Sequence, residues 1–297
     1  MNWLPLARLW TRHAPVARGK DRLATLALRL TPAPPADVCV ETVDGRRFRI
    51  DPASHGYAPV YFRGVYEPGI SHVVSRLLRP GDVCLDVGAH IGWYTTLAAT
   101  LVGPTGAVHA FEPLPSAFRR LERNVALLQD SSCVVLNNIA LGEAPGAGLL
   151  HVFPSEPDSH SSISDQGRPD ARAIPCTVTT LDAYLAERVP HARTVALVKL
   201  DVEGAELMCL RGAHGLFSRP APPCWIVEMA ASTSRGFGYT PNDLLAQIRA
   251  RGEYDFFTIG PIDGALTRLE AFEPGDPGDY VLCAPRGRLG ASQVRAR

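Results

Sequence analysis

The chain has 297 residues, 46% of them hydrophobic, enough to bury a full core in one large domain with an appendage. Its 30 Lys and Arg residues balance 30 Asp and Glu residues, so no global field recruits nucleic acid or an anionic membrane, and any partner has to be recognised locally. The seven cysteines (Cys39, Cys84, Cys133, Cys176, Cys209, Cys224, Cys283) are odd in number and never spaced as CxxC, which argues against a disulfide framework or a zinc site and for a reducing cytoplasm.

Residues 1–30 mix Leu, Trp and Ala with Arg, as in "WLPLARLW" and "RLATLALRL", a pattern suited to short amphipathic helices. Arg and Pro interrupt this segment before a secretory core develops, and no apolar run approaches the roughly 20 residues of a spanning helix. A soluble, unprocessed cytoplasmic protein without a transmembrane segment is the expectation. "VCVETVDGRRFRID" carries alternating apolar residues on both sides of Asp44-Gly45, the strongest short hairpin signal. An appendage of helix and β-hairpin over 1–66 is thus expected to precede a main domain over 67–297. "ISHVVSRLLRPGD" reads as a helix stopped by Pro80-Gly81.

From Asp82 onward short apolar runs alternate with helical patterns, which predicts an α/β fold of βαβ units around a mostly parallel sheet. The expected strands are "VCLDV", "AVHAF", "CVVLNNIA", "ALVKLD", "CWIVEM", "DFFTI" and "YVLCA", with helices at about 91–101, 115–128, 205–217 and 241–251. Gly142 to Arg172, rich in Pro, Ser, Gly and Asp, is too polar for core and reads as a surface excursion or active-site loop. The basic tail "RGRLGASQVRAR" is expected to fray.

In an open parallel sheet, ligands bind beyond the carboxyl ends of the strands. Asp86 and Glu112 both fall there, at the ends of the first two strands. Gly88 and Gly92 frame the first turn, where a ligand can approach backbone N–H groups without a Cβ in the way. Glu112 can accept both hydroxyls of a ribose. The turn is Gly88-Ala-His-Ile-Gly92 with His90 in the middle, not the G-x-G-x-x-G that admits a pyrophosphate. Asp86 would repel a diphosphate but suits an ammonium group. A cationic, phosphate-free nucleoside such as S-adenosylmethionine fits both acids, although a cap for Asp86 and a packed loop position for His90 are the ordinary alternatives.

A second cluster lies in "VKLDVEGAELMCLRGA". Lys199 and Asp201 share one face of a strand, and Glu203 has entered the turn. Glu206 either caps the following helix, pairs with Lys199 or belongs to the site. Glu228 closes "CWIVEM" and would stand beside Asp201 if the two strands are neighbours. Two such oxygens could hold a divalent ion or orient a substrate hydroxyl.

The segments "DVGAHIGWYTTLAA", "GAVHAFEPLPSAFRRLERNVAL", "NNIALG", "TLDAYL" and "VKLDVEGAELMCLRGA" together resemble the FkbM family of S-adenosylmethionine-dependent methyltransferases, in order over about residues 67–230. The resemblance implies a class I methyltransferase fold with a seven-stranded sheet whose last strand is antiparallel. It implies O-methyl transfer to a natural product, sugar or polysaccharide, a small-molecule or glycan acceptor. It assigns Asp86, Gly88 and Gly92 to the cofactor's amino-acid end and Glu112 to its ribose, with His90 in the same turn a further cofactor-binding candidate, and sets the turn with Asn138 and Ala140 beside the adenine. Related sugar O-methyltransferases hold Mg2+ on acids at the ends of the fourth and fifth strands, where Asp201 and Glu228 stand, but the second acid that follows there is Met229 here.

Methyl transfer needs alignment and desolvation more than covalent help. Asp201, with Lys199 or a metal tuning it, is the expected catalytic group for the acceptor hydroxyl, and His160 in "SHSS" is a second candidate base. A nicotinamide-dependent oxidoreductase shares the sheet and the Glu112 position but lacks a phosphate-accommodating turn and an evident proton relay. A non-catalytic module on a methyltransferase scaffold is the remaining alternative.

Overall fold

The computed structural model describes residues 37–52, 57–152, 161–162, 171–189, 193–290 and 293–295. The helices expected over 1–30 and the candidate base His160 lie outside the described residues. Strands β1 (Val38–Glu41) and β2 (Arg47–Ile50) pair antiparallel around the expected Asp44-Gly45 turn, where Gly45 takes a φ of 82° that favours glycine. Helix α1 (Ala58–Arg63) follows. Helix α2 (Pro68–Leu77) opens on a proline, whose fixed φ suits a first helical turn, and ends ahead of Pro80-Gly81 as expected.

Strand β3 (Val83–Val87), helix α3 (Trp93–Val102), strand β4 (Ala107–Phe111), helix α4 (Pro115–Val125) and strand β5 (Val134–Asn137) then alternate as two βαβ units. Here the chain departs from the expected "CVVLNNIA" strand. It breaks at Asn138, and β6 (Ala140–Leu141), β7 (Gly146–Val152), β8 (Ser161–Ser162) and β9 (Arg172–Thr179) form a separate four-stranded sheet in the order β6-β9-β7-β8. The region expected to be a loop therefore contributes strands. Most of β7 and β9 is half-buried or exposed, so these strands carry too few apolar residues to read as core from composition. Helix α5 (Leu181–Arg188) follows, its first turn capped by the Thr180 hydroxyl accepting from the Ala183 N–H.

The second half comprises β10 (Val195–Leu200), α6 (Glu206–Arg211), α7 (His214–Phe217), β11 (Cys224–Ala230), α8 (Ala231–Ser234), α9 (Pro241–Arg249), β12 (Tyr254–Ile259), β13 (Leu266–Arg268), β14 (Gly278–Pro285) and β15 (Val294–Arg295). The single helix expected over 205–217 is two, interrupted at Gly212, where the chain passes so close to Gly142 that a Cβ would sit 2.1 Å from its carbonyl oxygen. The tail expected to fray instead supplies β15, which pairs with β13.

The main sheet runs β15-β13-β12-β14-β11-β10-β3-β4-β5. Strands β5, β4, β3, β10 and β11 are parallel, while β14 lies antiparallel between β11 and β12. Leaving aside the edge strands β13 and β15, this is the class I methyltransferase arrangement. Strand order reverses between β3 and β10, which places the ligand cleft of such a sheet at their carboxyl ends.

Side chains alternate across the sheet. Leu85 and Val87 of β3, Val198 and Leu200 of β10 and Trp225 and Val227 of β11 pack with residues of α5, α6, α7 and α9. Cys84, Leu197 and Ile226 point to the other layer, where Phe48 and Ile50 of the hairpin, Val73 and Val74 of α2 and Leu97 of α3 share their core. No helix among the described residues is long and apolar enough to cross a membrane.

Candidate active site

The same alternation selects the site. On the face of α2 and α3, the residues that follow Cys84, Leu197 and Ile226 at intervals of two are Asp86, Lys199 with Asp201, and Glu228. Apolar positions give way to charge at the carboxyl ends of three neighbouring strands. Asp86 and Lys199 are register partners across β3 and β10. Both are buried.

Asp86 Oδ2 accepts a hydrogen bond from the Thr95 hydroxyl of α3 at 2.5 Å, while its Oδ1 is buried without a partner. Burial pushes the Asp86 carboxyl up, against the pull of the Lys199 charge. Gly88, at φ 81°, starts the turn because a Cβ there would lie 1.7 Å from the Asp201 carbonyl oxygen. Gly92, at φ 90°, opens α3 without a side-chain cap. Between the glycines His90 is itself left-handed, at φ 48°, and its N–H donates to Glu112 Oε2 at 2.8 Å. Glu112 Oε1 accepts from the Leu114 N–H at 2.8 Å. Two amides thus aim this carboxylate and leave one lone pair open on each oxygen. Burial raises the Glu112 carboxyl from 4.5 to about 7.

Asn138 stands directly beside this acid: its Nδ2 donates to the Glu112 and Pro113 carbonyls at 2.8 and 3.1 Å and so braces the turn. Ala140 is buried at the start of β6. Asp86, Gly88, His90, Gly92 and Glu112 are brought together as the sequence suggested.

The second cluster adjoins them. Lys199 Nζ lies 2.6 Å from Asp201 Oδ2, and the Tyr280 hydroxyl donates to the same oxygen at 2.7 Å. Burial opposes charge on both partners, yet the facing carboxylates of Asp201, Asp86 and Glu67 hold the lysine protonated and well above its usual range. Burial likewise opposes charge on Asp201, but the ammonium and its hydrogen bond keep that carboxyl below the usual range. Glu206, Asp201 and Glu228 each bring an oxygen within 4.8 Å of the others. Glu206 neither caps its helix nor pairs with Lys199; it ties the preceding loop, its Oε1 accepting from the Val202 and Gly204 N–H groups and its Oε2 from the Tyr239 hydroxyl. Glu228 Oε2 is buried without a partner, and burial together with the charges of Asp201, Glu203 and Glu206 pushes this carboxyl up to about 10.

A family profile described as "Methyltransferase FkbM domain" matches residues 86–254. The chain belongs to this family. Among curated relatives, the 31-O-demethyl-FK506 methyltransferase FkbM of Streptomyces tacrolimicus is 35% identical over 169 residues, which cover 46% of this chain and 61% of the relative. Methyltransferase 1 of Beauveria bassiana is 32% identical over 144 residues, covering 43% of this chain and 57% of the relative. The chain thus spans about three fifths of the length of these two relatives. Among solved structures, methyltransferase FkbM from Methylobacillus flagellatus KT is 15% identical with a TM-score of 0.42, over 77% of this chain and 53% of that one.

The FkbM profile begins at Asp86, yet residues ahead of it complete the site. Glu67, at φ 40°, accepts from the Tyr94 hydroxyl at 2.6 Å, and the Tyr94 ring lies 5.0 Å from Lys199 Nζ. The Tyr57 hydroxyl lies 2.6 Å from His90 Nδ1, and Tyr57 stacks on both His90 and Tyr66. Sequence reasoning missed these residues. The available signal was three tyrosines within ten positions of "YAPVYFRGVY", followed by Glu67-Pro68-Gly69. The hairpin is tied in as well: Asn124 of α4 accepts from the Arg49 N–H at 2.7 Å and donates to the Arg49 and Ile91 carbonyls at 3.1 and 2.8 Å.

Proposed function

We propose that this protein transfers a methyl group from S-adenosylmethionine to a hydroxyl oxygen of a small-molecule or glycan acceptor. The observation that carries this reading is the buried, unpartnered Asp86 Oδ1 facing the same cleft as the amide-aimed Glu112 carboxylate. A free anionic oxygen suits the cofactor's ammonium, and the uncapped start of α3 suits its carboxylate. The open lone pairs of Glu112 suit two ribose hydroxyls, with Asn138 and Ala140 flanking the base. Gly88, His90 and Gly92 supply the turn between them. The carboxylates of Asp86 and Glu112 favour a cationic cofactor and disfavour the diphosphate of a nicotinamide dinucleotide.

When bound, S-adenosylmethionine supplies a methyl group already activated by a sulfonium. The protein's own task is to align the acceptor oxygen and receive its proton. Asp201 stays ionised beside Lys199 and Tyr280 and can accept a hydrogen bond from the acceptor hydroxyl. Its depressed pKa does not disqualify it, because a hydroxyl oxygen that is gaining a methyl group becomes a strong acid. Lys199 holds Asp201 charged and oriented. That a relative in Streptomyces tacrolimicus is named for methylation at an oxygen supports the O-acceptor.

A divalent ion fits the acids less well. Glu206 Oε1 accepts from the Val202 and Gly204 N–H groups and Oε2 from the Tyr239 hydroxyl, and Asp201 Oδ2 already holds an ammonium and a phenol. Glu228 Oε2 is left without a partner, but the Lys199 ammonium already stands 2.6 Å from Asp201 Oδ2 and supplies the positive charge a divalent ion would bring. Lys199 is therefore read as the resident cation.

Calorimetric titration with S-adenosylmethionine tests the donor, and incubation of cell extracts with a deuterium-labelled methyl donor followed by mass spectrometry tests the acceptor. A labelled O-methyl product is expected. Donor binding without product on any acceptor would favour a non-catalytic module, and absence of binding would end the proposal.

A further inference from the structure

We infer that Tyr57 is a positioning residue for the methyl donor, acting through His90 on the peptide N–H that aims Glu112. The inference rests on the donor reading above. His90 performs two functions in one residue. Its backbone N–H is one of the two amides that orient the Glu112 carboxylate, and its ring is held from the far side. That N–H points at Glu112 because the residue is left-handed, at φ 48°, a conformation that a residue with a Cβ adopts only when its surroundings impose it.

Tyr57 is the imposing group. Its ring stacks on the imidazole at 5.6 Å between centroids with 23° between planes, and its hydroxyl lies 2.6 Å from His90 Nδ1. The phenol is 5% exposed and backed by Tyr66, stacked on it at 5.3 Å. Burial keeps the phenol protonated, and its oxygen shares a hydrogen bond with His90 Nδ1. A ring fixed in position fixes the backbone that carries it. Without the hydroxyl, His90 can relax toward right-handed backbone, which swings its N–H away from Glu112 and leaves the carboxylate held by Leu114 alone. The segment between the hairpin and β3 thereby acts on the donor.

Tyr57→Phe keeps the stack and removes only the hydroxyl. The expected result is a rise of about tenfold in the calorimetric Kd for S-adenosylmethionine and S-adenosylhomocysteine, the loss of one buried hydrogen bond. The donor KM should rise in step, while kcat at saturating donor and the acceptor KM stay within about twofold. His90→Gly supplies the second variant, since glycine takes the left-handed turn without help. In that background Tyr57→Phe should change the donor Kd by less than about twofold. A Tyr57→Phe protein with the parental donor Kd, or effects of the two substitutions that add in full, would overturn the inference. A parent that binds neither compound removes the donor reading and this inference together.

Discussion

The Lys199 ammonium stands 2.6 Å from Asp201 Oδ2 on a side chain that is 5% exposed, and it is the register partner of Asp86. One buried cation thus neutralises acids from two strands. Replacing it leaves both carboxylates desolvated and unpaired. Lys199→Met should lower stability by about 3–5 kcal/mol, read as a fall in the urea midpoint. Adding Asp201→Asn in the same chain should restore part of the loss, because the second change removes one stranded charge. An unchanged midpoint in the single variant would show that the pair is not the counterweight described.

Asp201→Asn alone separates binding from turnover. The amide keeps the shape and the contact with Tyr280 but loses the charge that accepts the acceptor's proton. Turnover should fall by about 100-fold or more, the scale of a lost general base, while donor affinity stays near parental. Full activity in this variant would remove Asp201 from the mechanism.

Treatment with EDTA and extensive dialysis should leave methyl transfer within about twofold of the untreated protein, because the Lys199 ammonium already neutralises Asp201 and Glu206 is held by Val202, Gly204 and Tyr239. Activity that collapses and returns with added Mg2+ would overturn the assignment of Lys199 as the site's cation.

Glu112 makes stability and donor affinity respond oppositely to pH. Burial raises its carboxyl from 4.5 to about 7, so between those values the folded protein holds a proton that the unfolded chain has lost. The stability this group contributes is complete below about 4.5 and is lost as pH rises through about 7. Ribose hydroxyls donate to the ionised form, so donor affinity should rise over the same range and level off above about 7. Melting curves and titrations at matched pH would show the crossing trends, and Glu112→Gln should flatten both. Affinity independent of pH would place the ribose elsewhere.

Asn124 latches the hairpin to the cofactor turn through three hydrogen bonds, two to Arg49 and one to Ile91. Asn124→Ala should cost about 2–3 kcal/mol, since buried backbone groups lose their partners. Protease should then cut within 41–47, and donor affinity should weaken because Ile91 lies next to His90. A stable, protease-resistant variant would show the hairpin to be held by its apolar contacts alone.

Much of this architecture was legible one element at a time. The strand pattern from "VCLDV" to "YVLCA" and the placing of Asp86 and Glu112 at strand ends follow from local alternation and turn chemistry, and apart from the break within "CVVLNNIA" the structure reproduces them. The four-stranded second sheet was not legible, because its strands are half-exposed and carry no apolar run, and the break at Asn138 is made by the backbone leaving one sheet for another. Gly212 divides the helix expected over 205–217 for a similar reason: it meets Gly142, seventy positions earlier in the chain (212 minus 142).

The amino-acid sequence by itself determined which residues sit at the ends of the strands, since side-chain direction repeats every two residues whatever the surroundings. Only the tertiary structure decided what those residues became. Burial, the neighbouring strand and the helix above turned Lys199 into a counter-ion for Asp86 and Asp201, made Glu206 a tie for the loop ahead of its helix, and brought Tyr57 onto His90. Desolvation and charge pairing depend on what lies a few ångströms away in space, and in this chain those neighbours are often tens of residues distant in sequence.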